Sequence, residues 1–468
     1  MLGGILKKVK SAAPKVPEGP KIAVGLDIGT TKVVAFAGQR EPDGKIRVPG
    51  YGKHSSLGVQ RGQVINVIRT AEAIQHAIRQ TEDRAGIDID TVMVGIAGQH
   101  ICNRQVMGEI KIRRPDSEIT NDDVRMLIDD MFKVVVHPGE QIIDAIHQEY
   151  TVDGISGLDD PVGVVGTQLS SVFNVITGNS HHIRNIARCV KRCNLEMDGL
   201  MLEPVASAEV VLDRKEKEAG VALVDIGGGT TDVAVFINGI LRHTAVIPIA
   251  GDVITDDIKE IFRGIVKDDA ETLKLTHGSC IPNRGNENHI ISIPGIKDRP
   301  PIEIAEVQLA EVIAIRMKDI IDRVMEELRS VNCVSKLGCG LVLTGGGAKL
   351  KHIKEFTEYH TALSVRVGNP EEKIITNRDS DWFHPMYATG LGLLVMGIEK
   401  DEDLHPTVAR KPEPEKAKKE QKIETTAKED NPETEEEEAK RERYRPWNRM
   451  KEMLNSVIME DEQEDDDF

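Results

Sequence analysis

No run of apolar residues in this chain reaches the ~18 that a membrane-spanning helix requires. The N-terminus is basic but has neither the apolar core nor the cleavage site of a secretory signal. Both absences point to a cytoplasmic chain. Six cysteines, at 102, 189, 193, 280, 333 and 339, show no metal-finger spacing. They are expected as reduced, buried thiols rather than as a disulfide framework or a metal site. Clustered positive charge is also missing, with 60 Lys and Arg against 77 Asp and Glu and a net charge of −17. A broad nucleic-acid surface needs the opposite balance, so nucleic acid is not an expected partner. Much of the acidic excess lies in residues 401–468, which carry 13 basic and 23 acidic side chains.

What is present is enough chain for several domains, 468 residues in all. Residues 11–20, SAAPKVPEGP, read as a linker. A second linker, 399–440, is rich in Glu, Lys and Pro and nearly free of large apolar side chains, so it should not pack. Between them strands and helices alternate. Thr70 to Ala85 has helical spacing, Thr91 to Ile96 reads as a strand, Ile183 to Cys193 as a helix, and 303–329 as one long helix. This alternation argues for mixed α/β domains. Residues 105–182 interrupt it with a smaller α+β pattern, in which EITNDDVRMLIDDM is a helix capped by Thr120.

One stretch, VALVDIGGGTTDVAVF at 221–236, runs a strand into Asp225 and then gives up its side chains for three residues. Glycines let a ligand approach the backbone, and bare N–H groups in a tight turn form an anion-binding concavity. The threonine hydroxyls add donors, and a carboxylate at the strand end can hold a cation directly or through water. Taken alone the stretch also fits a glycine-rich hairpin turn between core strands. The pattern recurs at VGLDIGTTKVVAF, 24–36, placing Asp27 198 residues before Asp225. Two phosphate hairpins so far apart imply related half-domains facing one nucleotide. A third glycine cluster, GLVLTGGGAKL at 340–350, again follows an apolar strand.

The three glycine clusters in this order resemble the actin, Hsp70 and sugar-kinase superfamily. EITNDDVRMLI, DPVGVVGTQL, LEPVASAEVVL, DIGGGTTDVAVFING, AGDVITDDI and DAETLKLTHGSC are together similar to segments of the bacterial cell-division family FtsA. That resemblance covers about residues 21–398. It implies a two-lobed actin-like ATPase fold with an inserted small subdomain, followed by a disordered charged tether and a terminal amphipathic helix. The first lobe would comprise 21–104 and 183–220, the insert 105–182, and the second lobe 221–398 with an outer subdomain near 251–335. Cofactors would be ATP and magnesium. Asp27, Gly29, Thr30, Thr31 and Lys32 match the first phosphate loop, and Asp225, Gly227, Gly228, Gly229, Thr230 and Thr231 the second. Asp27 and Asp225 would hold magnesium, through waters. Glu203 falls where related ATPases place a Glu or Gln near the attacking water, or is simply a helix-start carboxylate before Pro204. Glu271 and Lys274 match nucleoside contacts, or form an exposed i,i+3 ion pair. Gly345, Gly346 and Gly347 would let the backbone pass the adenosine. The resemblance implies ATP-dependent filaments with weak or variable hydrolysis.

Residues 441–459 follow the tether. Trp447, Met450, Leu454, Val457 and Ile458 fall on one helical face, and Arg441, Arg443, Arg445, Arg449 and Lys451 surround its start. Such a helix suits an anionic membrane interface. The acidic tail at 460–468 departs from that pattern and leaves docking on protein open. MLGGILKKVK at the N-terminus is either a frayed end or an auxiliary membrane contact. The resemblance implies a filament of this chain on the inner face of the membrane at the division site. It would bind the C-terminal tail of the tubulin-like protein FtsZ and recruit later division proteins through the insert. A type IV pilus inner-membrane ATP-binding protein is the main alternative. An Hsp70-type chaperone would need a substrate domain after the ATPase, and a small-molecule kinase would need a general base between the lobes.

Overall fold

The computed structural model describes residues 22–404 except 115–117, 283–288, 298, 371–373 and 376–381. The tether expected over 399–440 begins later than that, because 399–404 continue the last helix. The rest of it, the amphipathic helix 441–459 and the N-terminal segment lie outside the described residues.

The chain opens with β1 (Ala23–Ile28), β2 (Lys32–Arg40) and β3 (Ile46–Ser55), followed by the short strands β4 (Val59–Gln60) and β5 (Gln63–Val64), α1 (Val67–Ala85) and β6 (Thr91–Ile96). Next come β7 (Cys102–Lys111), α2 (Asn121–Met131), β8 (Glu140–Val152), β9 (Ile155–Leu158) and β10 (Gln168–Asn179). The first lobe resumes with α3 (Ser180–Arg192), β11 (Glu196–Leu202), α4 (Glu203–Val211) and α5 (Arg214–Ala219). The second lobe contains β12 (Val221–Ile226), β13 (Thr231–Ile237), β14 (Ile240–Ile247), α6 (Gly251–Ile261), α7 (Lys267–His277), β15 (Ile290–Ile293), β16 (Ile302–Ala305) and α8 (Glu306–Ser330). It ends in β17 (Leu341–Thr344), α9 (Ile353–Thr361) and β18 (Val365–Val367). After these, β19 (Ile374–Ile375) and α10 (Ala388–Leu404) return to the first lobe, β19 pairing with β3 and α10 lying against β1, so the second lobe does not run to 398 as expected.

The two main sheets repeat one topology. In the first, the order is β11-β6-β1-β2-β3-β19, and in the second β14-β13-β12-β17-β18. Each begins as an antiparallel three-strand meander whose first strand pairs in parallel with a later one, β6 in one sheet and β17 in the other. The phosphate-type hairpins are the first turns of these meanders, β1–β2 and β12–β13. Each sheet has its own aliphatic core. A third apolar cluster joins Val34 and Phe36 of the first sheet to Leu223 and Ala234 of the second through α4 and α10. These two helices pack at backbone distance, and a Cβ at Gly392 would lie 1.9 Å from the Ala206 carbonyl oxygen.

Local chemistry accounts for several element boundaries. Asn66 caps α1 by accepting from the Arg69 N–H, and left-handed Gly86 ends it. Thr120 occupies the N-cap of α2, and the Asp123 carboxylate accepts from the Thr120 N–H at 2.8 Å and pairs with Arg114. The helix expected over 303–329 begins only at Glu306. Ile302 and Ile304 instead alternate with Glu303 in β16, which pairs with β15. Ile304 satisfies a helical spacing with Val307 as well as a period of two, and pairing with β15 decides between them. All six cysteines are free, but Cys102 is exposed, so burial does not hold for every thiol.

The inserted elements form their own sheet, β7-β10-β8-β9, with α2 over a separate core around Leu127, Leu169 and Phe173. This sheet also grips the second lobe. The buried amides of Gln148 and Asn174 donate to the backbone oxygens of Leu241 (3.0 Å) and Arg242 (2.8 Å) on β14. Arg242 donates back to Gln148 Oε1 and to Glu149.

Gly392→Ala is expected to destabilise the protein by about 1–3 kcal/mol, because α4 and α10 must separate to admit the methyl group. A urea titration checks this, and an unchanged midpoint would contradict the tight crossing.

Candidate functional site

The sharp ends of the two hairpins meet. Asp27 and Asp225 are the penultimate residues of β1 and β12, and both are buried although they are charged strand residues. The second turn closes with the Gly227 N–H donating to the Thr230 oxygen at 2.9 Å. A Cβ added to Gly228 would lie 2.3 Å from Thr31, and one on Gly229 would lie 2.5 Å from the Thr30 hydroxyl. Glycine is therefore required for one turn to face the other. Gly345, at φ +84°, is required as well, since a Cβ there would lie 2.3 Å from an Asp225 carboxylate oxygen. Gly347 is crowded by Ile226, whereas Gly346 faces open space.

Four carboxyl groups share this region. Burial lifts Asp27 to about 6, with Lys32 opposing the rise and Asp225 adding to it. Burial also raises Asp225, against hydrogen bonds from Ser207 (2.8 Å) and Thr389 (3.3 Å) and the charge of Lys32. Asp232 reaches about 8 through burial and the repulsion of Asp225. Its Oδ2 accepts from Thr230, while its buried Oδ1 has no hydrogen-bond partner. Glu203 starts α4 just before Pro204, and burial followed by the charges of Asp27, Asp232 and Asp225 holds its carboxyl well above the usual range. Gly95 leaves room for it, since a Cβ there would lie 2.9 Å from Glu203 Cγ.

A second network stands behind the second turn. The N–H groups of Gly251 and Asp252, at the start of α6, donate to the oxygens of Gly227 and Gly228. Lys274 is buried. Its Nζ donates to the Gly251 oxygen (2.9 Å) and Thr255 Oγ1 (2.8 Å) and pairs with Glu271 at 2.7 Å. The i,i+3 pair is thus present but tied into the site rather than spread over the surface. Among the threonines, Thr231 is fully buried with its hydroxyl bonded to the Ile249 oxygen, and Thr30 Oγ1 accepts from the Gly62 N–H.

The structure brings together Asp27, the first turn, Asp225, the second turn, Glu203 and Gly345–Gly347, with Glu271 and Lys274 behind Gly251. Trp447, Met450, Leu454, Val457 and Ile458 lie outside the described residues. Sequence reasoning passed over Asp232, although it stands inside the motif at the start of the outgoing strand. It also missed Ser207, Thr389 and Asp252. Ser207 and Thr389 carry no local signal, because only the crossing of α4 and α10 brings them to Asp225.

The donor set suits a hard divalent cation with phosphate. It offers carboxylate oxygens, one of them buried and unpartnered, beside bare glycine backbone. Among the described residues no cluster of three or more His, Cys, Asp or Glu side chains has the geometry of a bare protein metal site. A cation here would have to complete its coordination with water or ligand oxygens.

Comparison with known proteins bears on this arrangement. The family model described as cell division protein FtsA matches residues 222–392, and that of the SHS2 domain inserted in FtsA matches 98–177. The cell division protein FtsA of Pseudomonas aeruginosa is 39% identical over 383 residues, covering 82% of this chain and 91% of that one. Two solved structures are similar in fold alone. The PilM–PilN type IV pilus biogenesis complex aligns with a TM-score of 0.57 at 15% identity, over 80% of this chain and 98% of that one. MreB5 of Spiroplasma citri bound to ADP aligns with a TM-score of 0.52 at 15% identity, over 82% and 98%. The fold is mixed α/β and actin-like, with a family-specific insert, and the chain belongs to the FtsA family of cell division proteins.

Proposed function

We propose that this chain binds ATP with magnesium between its two hairpins, assembles into filaments, and holds FtsZ at the inner face of the cytoplasmic membrane. The observation that carries the nucleotide site is the group of four buried carboxyls at the mouth of paired glycine turns. A ligand bearing positive charge would stabilise their ionised forms. Asp27 and Asp225 would hold the cation, through water, with Asp232 beside them. The backbone of Gly29 and of Gly227 to Gly229 would cradle phosphate, together with Thr30, Thr31, Lys32 and Thr230. Thr231 would act through its main chain, since its hydroxyl is committed to Ile249. Gly345 to Gly347, Glu271 and Lys274 would flank the nucleoside. Magnesium, when bound, neutralises phosphate charge and orients the phosphate oxygens.

Glu203 is assigned the place near an attacking water. Burial and the neighbouring Asp27, Asp232 and Asp225 disfavour its ionised form, which works against its use as a base, so weak turnover fits the site better than fast hydrolysis. Family membership favours division over the pilus alternative, with which the chain shares fold alone. The insert is proposed to meet the next protomer and later division proteins. Its exposed Met107, Val135 and Ile155 suit such contacts. The FtsZ tail is assigned to the outer part of the second lobe, where Ile261, Leu275 and Ile315 are exposed. No helix among the described residues is long and apolar enough to cross a membrane. Anchoring is assigned to the helix at 441–459, acting peripherally.

Asp225→Ala is expected to weaken magnesium-dependent binding of a fluorescent ATP analogue at least about tenfold, the loss of a charge-assisted contact. Retained affinity would reject the site. In buffer without magnesium or nucleotide, Asp27 at about 6 and Asp232 at about 8 bind protons in the folded state that the unfolded chain releases near ~3.9. Stability should therefore fall as pH rises from ~4 to ~8, and Asp232→Asn should flatten that decline. Thermal melts across this range give the answer, and equal slopes would count against coupled burial. For anchoring, the full chain should carry purified FtsZ to anionic liposomes with ATP. Trp447→Glu should abolish this, and undiminished pelleting would dismiss the helix as anchor.

A further inference from the structure

Helix α3 stands apart in a chain of net charge −17. Its sequence, SHHIRNIARCVKR, contains no acidic residue. Ile183, Ile186, Ala187, Cys189 and Val190 are buried on one side, against the first-lobe core. Arg184, Arg188, Lys191 and Arg192, spaced by four, three and one, lie on the opposite side, and the last three are exposed. Lys191 and Arg192 complement the C-terminal end of the helix dipole. Arg184 lies two turns from the end, where the dipole no longer acts.

The fold anchors the start of the C-terminal tail to β11, the strand that follows this helix. The buried Lys400 ammonium, in the penultimate turn of α10, lies 3.0 Å from Asp198 Oδ1 and also donates to the Asp198 backbone oxygen. Asp198 is on β11, six residues past the end of α3. Residues beyond 404 therefore depart from the end of the first sheet at which β11 begins, the strand into which α3 leads. The closing stretch, 460–468, holds seven carboxylates in nine residues and no cation. Some 55 residues separate it from α10. Even if wholly helical these would span roughly 80 Å, against about 20 Å for α3, so reach does not limit the encounter.

We propose that the basic face of α3 is the docking site for this chain's own acidic segment, 460–468. Docking would hold the apolar stripe that precedes the segment, Trp447 to Ile458, against the body. An anionic surface or high salt would release it, because exposed charge pairs are screened over about 10 Å at 0.1 M salt. The docking itself does not depend on the nucleotide or membrane readings above, whereas its consequence for membrane binding does.

The direct test is zero-length carbodiimide cross-linking of the full chain at low concentration, followed by peptide mass spectrometry. An amide should form between the Lys191 amine and a carboxylate of 460–468, with loss of water, in a product of monomer mass. The link should fall several-fold at about 0.5 M salt and in Arg184→Glu/Arg188→Glu/Arg192→Glu, which keeps Lys191. The absence of that link while Lys451 is joined to the tail, or links only between two chains, would overturn the proposal. A second measurement uses vesicles of phosphatidylserine and phosphatidylcholine at low salt. A chain ending at residue 459 and the triple variant of the full chain should both pellet several-fold more than the parent. Lower pelleting of the triple variant would assign α3 to lipid instead, and unchanged pelleting of both would dismiss the autoinhibitory role. If no form pellets, the membrane reading fails and the autoinhibitory role falls with it, whereas the cross-link alone decides whether the segment docks.

Discussion

This molecule is organised around the burial of four neighbouring carboxyls, to which their mutual repulsion adds. Asp27 and Asp225 are delivered by equivalent strands of two sheets that share a topology, Asp232 by the strand beside Asp225, and Glu203 by the start of a helix between the lobes. Their common site is unfavourable by itself, as the raised pKa values of Asp27 and Asp232 show. The aliphatic cores of the two sheets and the tight packing of α4 on α10 hold the carboxyls there nonetheless. A ligand of opposite sign would bind these carboxyls in competition with protons and offset the cost of burying them ionised.

The hairpins were readable because chemistry and local conformation coincide there. Apolar alternation ends in Asp, and glycine follows where a Cβ has no room. The doubling of that pattern implied two related halves, and the repeated sheet order bears this out. Reading failed where distant segments decide. Ser207 and Thr389 are ordinary helical residues until the two helices cross over Asp225. β16 carried both periodicities at Ile304, and only its partner β15 settles which one applies. Lys274 could be read as a nucleoside contact or as half of an exposed pair, because i,i+3 spacing says nothing about what covers it, and here the Gly251 oxygen and Thr255 of α6 do.

Charge is also segregated along the chain. The closing segment is almost purely acidic and α3 is purely basic, while α10 ends beside β11 through a buried lysine. Lys400 would be costly to bury without Asp198. That pairing fixes where the C-terminal segment departs, so the location of the tail is set by the interior of the first lobe.

The insert is covalently part of the first lobe, entered after β6 and left at α3, yet its buried amides are spent on the backbone of the second lobe. It therefore ties the first lobe to β14 of the second. A rotation of one lobe against the other must either break the Gln148 and Asn174 bonds or turn the insert on its two covalent attachments. Since β14 is laced to β13, and β13 begins at the second glycine turn, a displacement at that turn reaches the insert through two strands. The outer surface of the insert is thus a pointer whose angle reports the separation of the two hairpins.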